Sequence, residues 1–117
     1  MTMTTIYHNP RCSKSRATLA LLEERGLAPQ VVLYLDTPPD AATVADLIAR
    51  LGLSSARQLL RQGEDEYQAL GLANPALSEA ELVAAMVAHP RLIERPVVVH
   101  GPRAALGRPP ENVLAIL

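Results

Sequence analysis

The sequence has 117 residues, of which 49% are hydrophobic, and a formal net charge of −1 at pH 7. This length suits one domain, here residues 1–117. Because the net charge is near zero, we predict no binding to nucleic acid through overall electrostatic attraction. Because three tyrosines are the only aromatic residues, the core must consist of leucine, valine, isoleucine and alanine.

The first predicted elements surround the only cysteine. β-prone residues from Thr4 to Tyr7 predict a strand, which Asn9-Pro10 ends. A periodic helix follows from Ser13 to about Arg25, and Gly26 stands where a glycine commonly ends a helix. Cys12 should therefore lie at a helix N-terminus.

A second strand is predicted from Gln30 to Leu35. Its sequence VVLYL is a continuous apolar run, which is typical of a strand that is covered on both faces. Strand, helix and strand within this length form a βαβ unit, so the two strands should be parallel.

Helical patterns dominate residues 40–90, which we interpret as a helical insertion. Asp40 is a candidate N-cap, and Ser78 followed by Glu81 reads as a capping box. The predicted helices run from Asp40 to Leu51, from Ala56 to Gln62, from Glu64 to Leu70 and from Glu79 to about His89.

The C-terminal part predicts a β-hairpin and a final helix. A strand spans Ile93 to Val99, Gly101-Pro102 makes a turn, and Arg103 to Gly107 returns as a strand. The last helix covers Glu111 to Leu117. The chain is therefore predicted to be an α/β protein, βαβ, helical insertion and ββα, around a mixed four-stranded sheet.

The loop around Cys12 carries the chemistry of this sequence. A cysteine at a helix N-terminus faces unpaired N–H groups, and Arg11, Lys14 and Arg16 add positive charge. Both effects favour the nucleophilic thiolate, and the same N–H groups can bind an anion. The pattern predicts thiol chemistry on an oxyanion, although a lone cysteine is more often a small buried apolar residue.

Two other types of site are not expected. The sequence has one cysteine and three scattered histidines, without Cys-x-x-Cys or His-x-x-x-His spacing, so we predict no metal site and no bound cofactor. A single thiol, together with an N-terminus that lacks a signal peptide and the absence of a transmembrane run, predicts a cytoplasmic protein that does not bind membranes.

The order βαβ and ββα with a loop thiol resembles the thioredoxin-type fold. In that fold a proline, often cis, precedes the third strand and faces the thiol; here Pro96 precedes Val97. The segments YHNPRCSKSRATLALL, VVLYLDTPP, LLR, HPRLIERPVVV and GRPPENVL also resemble, in order and spacing, the ArsC family of glutaredoxin-coupled arsenate reductases. The resemblance covers about residues 4–117.

The resemblance implies an activity and a set of site residues. It implies that Cys12 is the catalytic thiolate that attacks arsenate, and that glutathione as co-substrate and glutaredoxin as partner resolve the adduct to release arsenite. By motif, the three oxyanion-binding arginines fall on Arg61, Arg95 and Arg108. Without the family pattern, each of these arginines would be taken as a solvated surface residue.

His8 and Ser15 are further candidates for the catalytic site. His8 could hydrogen-bond the thiolate, lower its pKa as a cation, or simply cap loop backbone. Ser15 could donate a hydrogen bond to the sulfur, as its place in the family motif suggests, or satisfy N–H groups in the first helical turn.

Two alternatives stay open at this point. Ser13-Lys14 departs from the small Gly-Thr pair of well-known arsenate reductases and resembles a sister branch, which could alter substrate preference. One alternative is an Spx-like regulator that binds RNA polymerase, although Ser15 excludes the Cys-x-x-Cys switch of such proteins. The other is a glutathione-dependent thiol oxidoreductase that does not act on arsenate.

Overall fold

The computed structural model describes residues 2–117. The described chain forms two compact units. The first runs up to Thr37 and resumes over Arg95–Leu117, and the second is Pro38–Glu94. None of the helices in residues 2–117 is long and apolar enough to cross a membrane.

The first unit is a mixed four-stranded sheet with one long helix. The strand order is β2-β1-β3-β4, with β1 parallel to β2 and β3 antiparallel to both β1 and β4. The predicted parallel βαβ unit, the hairpin and the thioredoxin-like α/β arrangement are thereby confirmed. Its elements are β1 (Thr4–Tyr7), α1 (Ser13–Glu24), β2 (Gln30–Val32), β3 (Val97–His100), β4 (Arg103–Leu106) and a 3₁₀ helix (Pro110–Ile116).

Apolar side chains from three kinds of element form the core of this unit. Ile6 of β1, Leu22 of α1, Val98 of β3 and Val113 of the C-terminal 3₁₀ helix are fully buried in one cluster. Burying each such side chain contributes about 1.5–3 kcal/mol. These contacts hold α1 against the sheet and so fix the position of the helix N-terminus.

The strand register places the ends of three strands side by side at one end of the sheet. Tyr7, the last residue of β1, is opposite Val97, the first residue of β3. Val97 is in turn opposite Leu106, the last residue of β4. The segments that follow β1, precede β3 and follow β4 are therefore neighbours in space, although the first is about ninety residues from the other two in sequence.

The predicted second strand is confirmed over Gln30–Val32, but its predicted extent to Leu35 and its coverage on both faces are wrong. β2 ends at Val32, and the chain then turns, with the Asp36 and Thr37 N–H groups both donating to Leu33 O. The leucines of this apolar run are 41% exposed at Leu33 and 36% at Leu35. Leu33 and Leu35 are exposed because they lie in this turn, beyond the end of an edge strand and not within the sheet.

The second unit is built from helices. Asp40 Oδ1 accepts a hydrogen bond from Thr43 N–H at 2.8 Å, and the capping box of Ser78 and Glu81 is present, so both predicted caps are confirmed. Its helices are α2 (Ala41–Arg50), α3 (Asp65–Ala69) and α4 (Glu79–Ala88), with 3₁₀ helices at Ala56–Leu59 and Pro90–Leu92.

Three predicted elements differ in length or type. The helix predicted to reach Gln62 ends at Leu59, because Leu60 is extended and forms an isolated antiparallel bridge with Ile93. Ile93 takes part in that bridge and not in β3. The final helix is of the 3₁₀ type, with Asn112 N–H donating to Pro109 O three residues back.

Candidate active site

Cys12 lies where the loop after β1 enters α1. It is the N-cap residue of α1, with extended backbone dihedral angles, and its side chain is half-buried. The preceding loop is closed by Cys12 N–H donating to Asn9 O at 3.0 Å and by Arg11 N–H donating to Asn9 Oδ1 at 3.0 Å. Asn-Pro thus turns the chain so that the thiol meets the first turn of the helix.

The surroundings of Cys12 favour its thiolate. Burial raises the pKa of the thiol, but the backbone N–H of Ser15, the side chain of Arg95 and the backbone N–H of Lys14 all lower it. The net effect holds the pKa of Cys12 below its ordinary value. The cause is the one expected for a helix N-terminus beside a guanidinium group.

His8 and Ser15 form a buried pair behind the thiol loop. His8 Nδ1 is 2.6 Å from Ser15 Oγ, and Asn9 N–H donates to the same oxygen at 3.0 Å. Ser15 is fully buried and His8 is 6% exposed. Because Asn9 N–H can only donate, the arrangement that satisfies the buried hydroxyl has Ser15 O–H donating to a neutral His8.

The charge state of His8 agrees with this hydrogen bond. Burial, and secondarily the positive charge of Arg16, lowers the pKa of His8. Neutral imidazole is therefore favoured near pH 7, and its Nδ1 is available as an acceptor. The observed partner of His8 is Ser15 Oγ, so a direct hydrogen bond from His8 to the thiolate stays a prediction. The role of a permanent cation fits these surroundings least.

Two of the candidate arginines lie in the first unit with Cys12. Arg95 is half-buried just before β3, where its side chain interacts with the thiol. Arg108 follows β4 and is exposed, and its Nη1 is 3.4 Å from Arg95 O. The Arg95-Pro96 and Arg108-Pro109 peptide bonds are both cis. The aligned strand ends therefore bring the segments that carry Cys12, Arg95 and Arg108 to the same end of the sheet.

Gly107 fills a junction among three segments. Its N–H donates to Pro96 O at 2.9 Å. A Cβ atom at this position would lie 2.7 Å from Pro96 Cγ, and closer still to Thr18 Oγ1. Thr18 is itself fully buried on α1. The site thus depends on Gly107 and Thr18, which sequence reasoning missed, although Gly107 immediately precedes Arg108 in the GRP motif.

Arg61 belongs to the second unit, where it forms a backbone hydrogen bond and ion pairs with residues of the same unit. Its backbone N–H donates to Leu92 O at 2.7 Å. Its guanidinium pairs with Glu64 at 3.2 Å and with Glu94 at 3.6 Å. Arg91 also pairs with Glu64, at 3.6 Å. The two acidic partners of Arg61 were not predicted from the sequence.

Metal ligands are not clustered in the described part of the chain. Among residues 2–117, no group of three or more histidine, cysteine, aspartate or glutamate side chains is placed to hold a metal ion. The groups that act on the Cys12 thiol are the backbone N–H donors of Ser15 and Lys14 and the Arg95 guanidinium.

Comparison with known proteins finds one family and close relatives over nearly the whole chain. The ArsC family model matches residues 7–116. An arsenate reductase from Neisseria meningitidis strain MC58 is 55% identical over 112 residues, which are 96% of each chain. Protein YfgD of Escherichia coli K12 is 61% identical over 112 residues, covering 96% of this chain and 94% of that protein.

Solved structures show the same relationship. The structure of an arsenate reductase from Vibrio cholerae superimposes with a TM-score of 0.97 at 52% identity, and the match covers 99% of this chain and 98% of that one. The family match spans the thiol loop as well as the segments of all three candidate arginines. The chain therefore belongs to the ArsC family.

Proposed function

We propose that this protein is an arsenate reductase in which Cys12 is the nucleophile. The observation that carries the proposal is a thiol whose pKa is lowered at a helix N-terminus beside the Arg95 side chain. The names of its relatives, among them the enzymes of N. meningitidis and V. cholerae, support the same activity.

The proposed first step joins sulfur to arsenic. The Cys12 thiolate attacks the arsenic atom of arsenate, an arsenic–oxygen bond breaks, and the displaced oxygen leaves as water after taking up protons. Arsenic stays pentavalent in this step. Because an anionic nucleophile approaches an anionic substrate, nearby cations must offset the repulsion between them.

The arginines supply that charge in our proposal. A guanidinium group is permanently ionised, and its planar fork of donors fits a tetrahedral oxyanion. Arg95 and Arg108 lie at the same end of the sheet as Cys12, which supports their assignment as oxyanion ligands. Arg61 is assigned to the same role by its place in the LLR motif.

His8 and Ser15 hold the thiol loop in the reactive arrangement. The Ser15 hydroxyl connects His8 Nδ1 with Asn9 N–H, and the Ser15 backbone N–H stabilises the thiolate. We therefore propose that His8 acts on Cys12 through Ser15, as a positioning residue. Pro96 has a structural role beside them, accepting from Gly107 N–H.

The electrons must come from thiols outside the chain. Reducing arsenate to arsenite takes two electrons, the amount released when two thiols form one disulfide, and the sequence has one cysteine. Glutathione as co-substrate and glutaredoxin as the protein that resolves the adduct meet this need. Overall, arsenate and two thiols give arsenite, one disulfide and water, without a bound cofactor.

The thiol requirement also bears on location and organisation. A reducing compartment keeps such thiols available, so we propose the cytoplasm as the site of action. We further propose that the two units work as a single arsenate reductase-type domain, with Pro38–Glu94 as its helical insertion.

A coupled assay tests the proposal. Purified protein, arsenate, glutathione and glutaredoxin should produce arsenite, and Cys12→Ser should reduce the rate to background. No arsenite from the unmodified protein would refute the proposal. Turnover of a glutathionylated peptide without arsenate turnover would favour a glutathione-dependent thiol oxidoreductase instead.

A further inference from the structure

A recess lies beside the thiol loop on the β2 side of the first unit. It encloses about 380 Å³ between residues 8–11 of the loop and Leu33, Leu35 and Asp36 of the turn after β2. The hydrogen bond from His8 N–H to Val32 O, at 2.9 Å, joins the two walls at their base. This volume lies at the lower end of the range for small-molecule sites, about 300–1,000 Å³.

The turn side of the recess carries two exposed leucines. Leu33 and Leu35 remain 41% and 36% exposed, because the chain leaves the sheet at Val32. Both leucines therefore present apolar surface to solvent beside the thiol loop. A ligand with an aliphatic portion would remove that surface from water.

The two sides of the recess carry opposite charges. Arg11 on the loop and Asp36 on the turn are both exposed, and neither forms an ion pair with any of residues 2–117. Asn9 Oδ1 accepts from Arg11 N–H, so the amide oxygen faces the loop backbone and the Nδ2 donors remain for a ligand. The loop wall therefore offers donors and the turn wall an acceptor.

We propose that this recess binds glutathione as the first external thiol of the reaction. A carboxylate of the tripeptide would pair with Arg11 and Asn9, and its ammonium or amide N–H groups with Asp36. The leucines would cover the aliphatic part. The inference rests on the proposed function, because it deepens the thiol step of that function.

The position of the recess suits the next chemical step. Arg11 directly precedes Cys12, so a thiol bound here is close in sequence and space to the loop that carries the adduct. Glutathione sulfur bonds to the arsenic attached to Cys12, an arsenic–oxygen bond breaks, and the thiol proton leaves with the hydroxyl as water. Arsenic is still pentavalent, and a second thiol later takes the glutathione sulfur as a disulfide.

The lining favours a zwitterionic peptide over a second oxyanion. An oxyanion would be repelled by Asp36 and would gain nothing from Leu33 and Leu35. A molecule that carries both signs of charge can pair with Arg11 and Asp36. A short aliphatic chain in the same molecule can cover the leucines. Glutathione has two carboxylates, one ammonium group and a thiol, which matches this set.

Binding can be tested without turnover. Cys12→Ser protein is titrated with S-methylglutathione, which cannot form a disulfide, while the leucine methyl signals are followed by NMR. The methyl signals of Leu33 and Leu35 should shift, and Asp36→Asn should weaken binding about threefold to fivefold. Glu24→Gln, which removes an exposed carboxylate on α1, should leave the affinity unchanged.

The outcomes separate the inference from the proposed function. Saturation without any shift at Leu33 and Leu35, or equal affinity in the Asp36→Asn variant, overturns the inference. Shifts that appear only with glutaredoxin also overturn it, since the recess would then bind a protein and not the tripeptide. Absence of arsenate turnover refutes the proposed function alone, because the titration needs no turnover.

Kinetics give a second, independent readout. In the coupled assay, Asp36→Asn should raise the KM for glutathione about threefold to fivefold while the KM for arsenate stays unchanged. A change confined to the arsenate KM would place Asp36 in the oxyanion site and contradict the inference.

Discussion

Replacing Gly107 with alanine should disrupt the junction on which the candidate site depends. The added methyl group would lie 2.7 Å from Pro96 Cγ and 3.0 Å from Thr18 Cγ2, and closer still to Thr18 Oγ1. Both neighbours are buried, one is a proline ring and the other a β-branched side chain, so neither can rotate away. The backbone segments must move apart instead.

The size of the effect follows from that geometry. Adding atoms to a well-packed core costs about 1–3 kcal/mol, and contacts this close with rigid groups favour the upper end, about 3 kcal/mol. The movement should also separate α1 from the segments that carry Arg95 and Arg108. Because Arg95 helps to lower the pKa of Cys12, that pKa should rise in the Gly107→Ala variant.

Urea unfolding followed by circular dichroism measures the free energy of unfolding, and thiolate absorbance against pH measures the pKa. Gly63→Ala is a matched control, because its added methyl would meet no atom within 4 Å. Thr18→Ala removes two of the close contacts, so the double variant should be less destabilised than the sum of the single ones. Stability within about 0.5 kcal/mol of the unmodified protein for Gly107→Ala would refute the reasoning.

Three further predictions concern charge and capping. Arg95→Gln should raise the pKa of Cys12 in alkylation rates measured against pH, whereas Arg103→Gln on β4 should not; equal profiles would contradict the assigned contact. Burial, with the nearby positive charge of a helix arginine, lowers the pKa of His8, so the unfolded chain binds the proton more readily. The free energy of unfolding should therefore fall as pH drops below about 6.5 and level off below the folded pKa, and His8→Gln should abolish this slope in urea titrations. Ser78→Ala removes an N-cap and should lower stability by about 1 kcal/mol in the same measurement, an effect too large for an ordinary exposed serine.

Local patterns in the sequence determined most of the fold. The capping box at Ser78, the N-cap at Asp40 and the glycine after α1 each act within one helical turn, so their residues could be identified directly. The run VVLYL was misleading because hydrophobicity alone does not show where a strand leaves its sheet. Its exposed leucines depend on the position of β2 at the sheet edge, which is a tertiary property.

The candidate site was only partly predictable for a similar reason. Cys12, His8 and Ser15 lie within one short segment, and their residue types indicate thiol chemistry. Thr18 and Gly107 carry no chemical signal of their own. Their importance comes from a close approach between α1 and the end of β4, which appears only when the strand register is known.

The lowered pKa of Cys12 links activation of the thiol to binding of the substrate. Part of that lowering comes from Arg95, the residue that we also assign to the oxyanion. When an oxyanion takes over the Arg95 donors, the thiolate loses some of its stabilisation, and a less stabilised thiolate is a stronger nucleophile. The N–H groups of Ser15 and Lys14 belong to the helix and remain in place. Under the proposed function, the helix keeps the thiol ionised, while Arg95 couples the reactivity of the thiol to the arrival of the substrate.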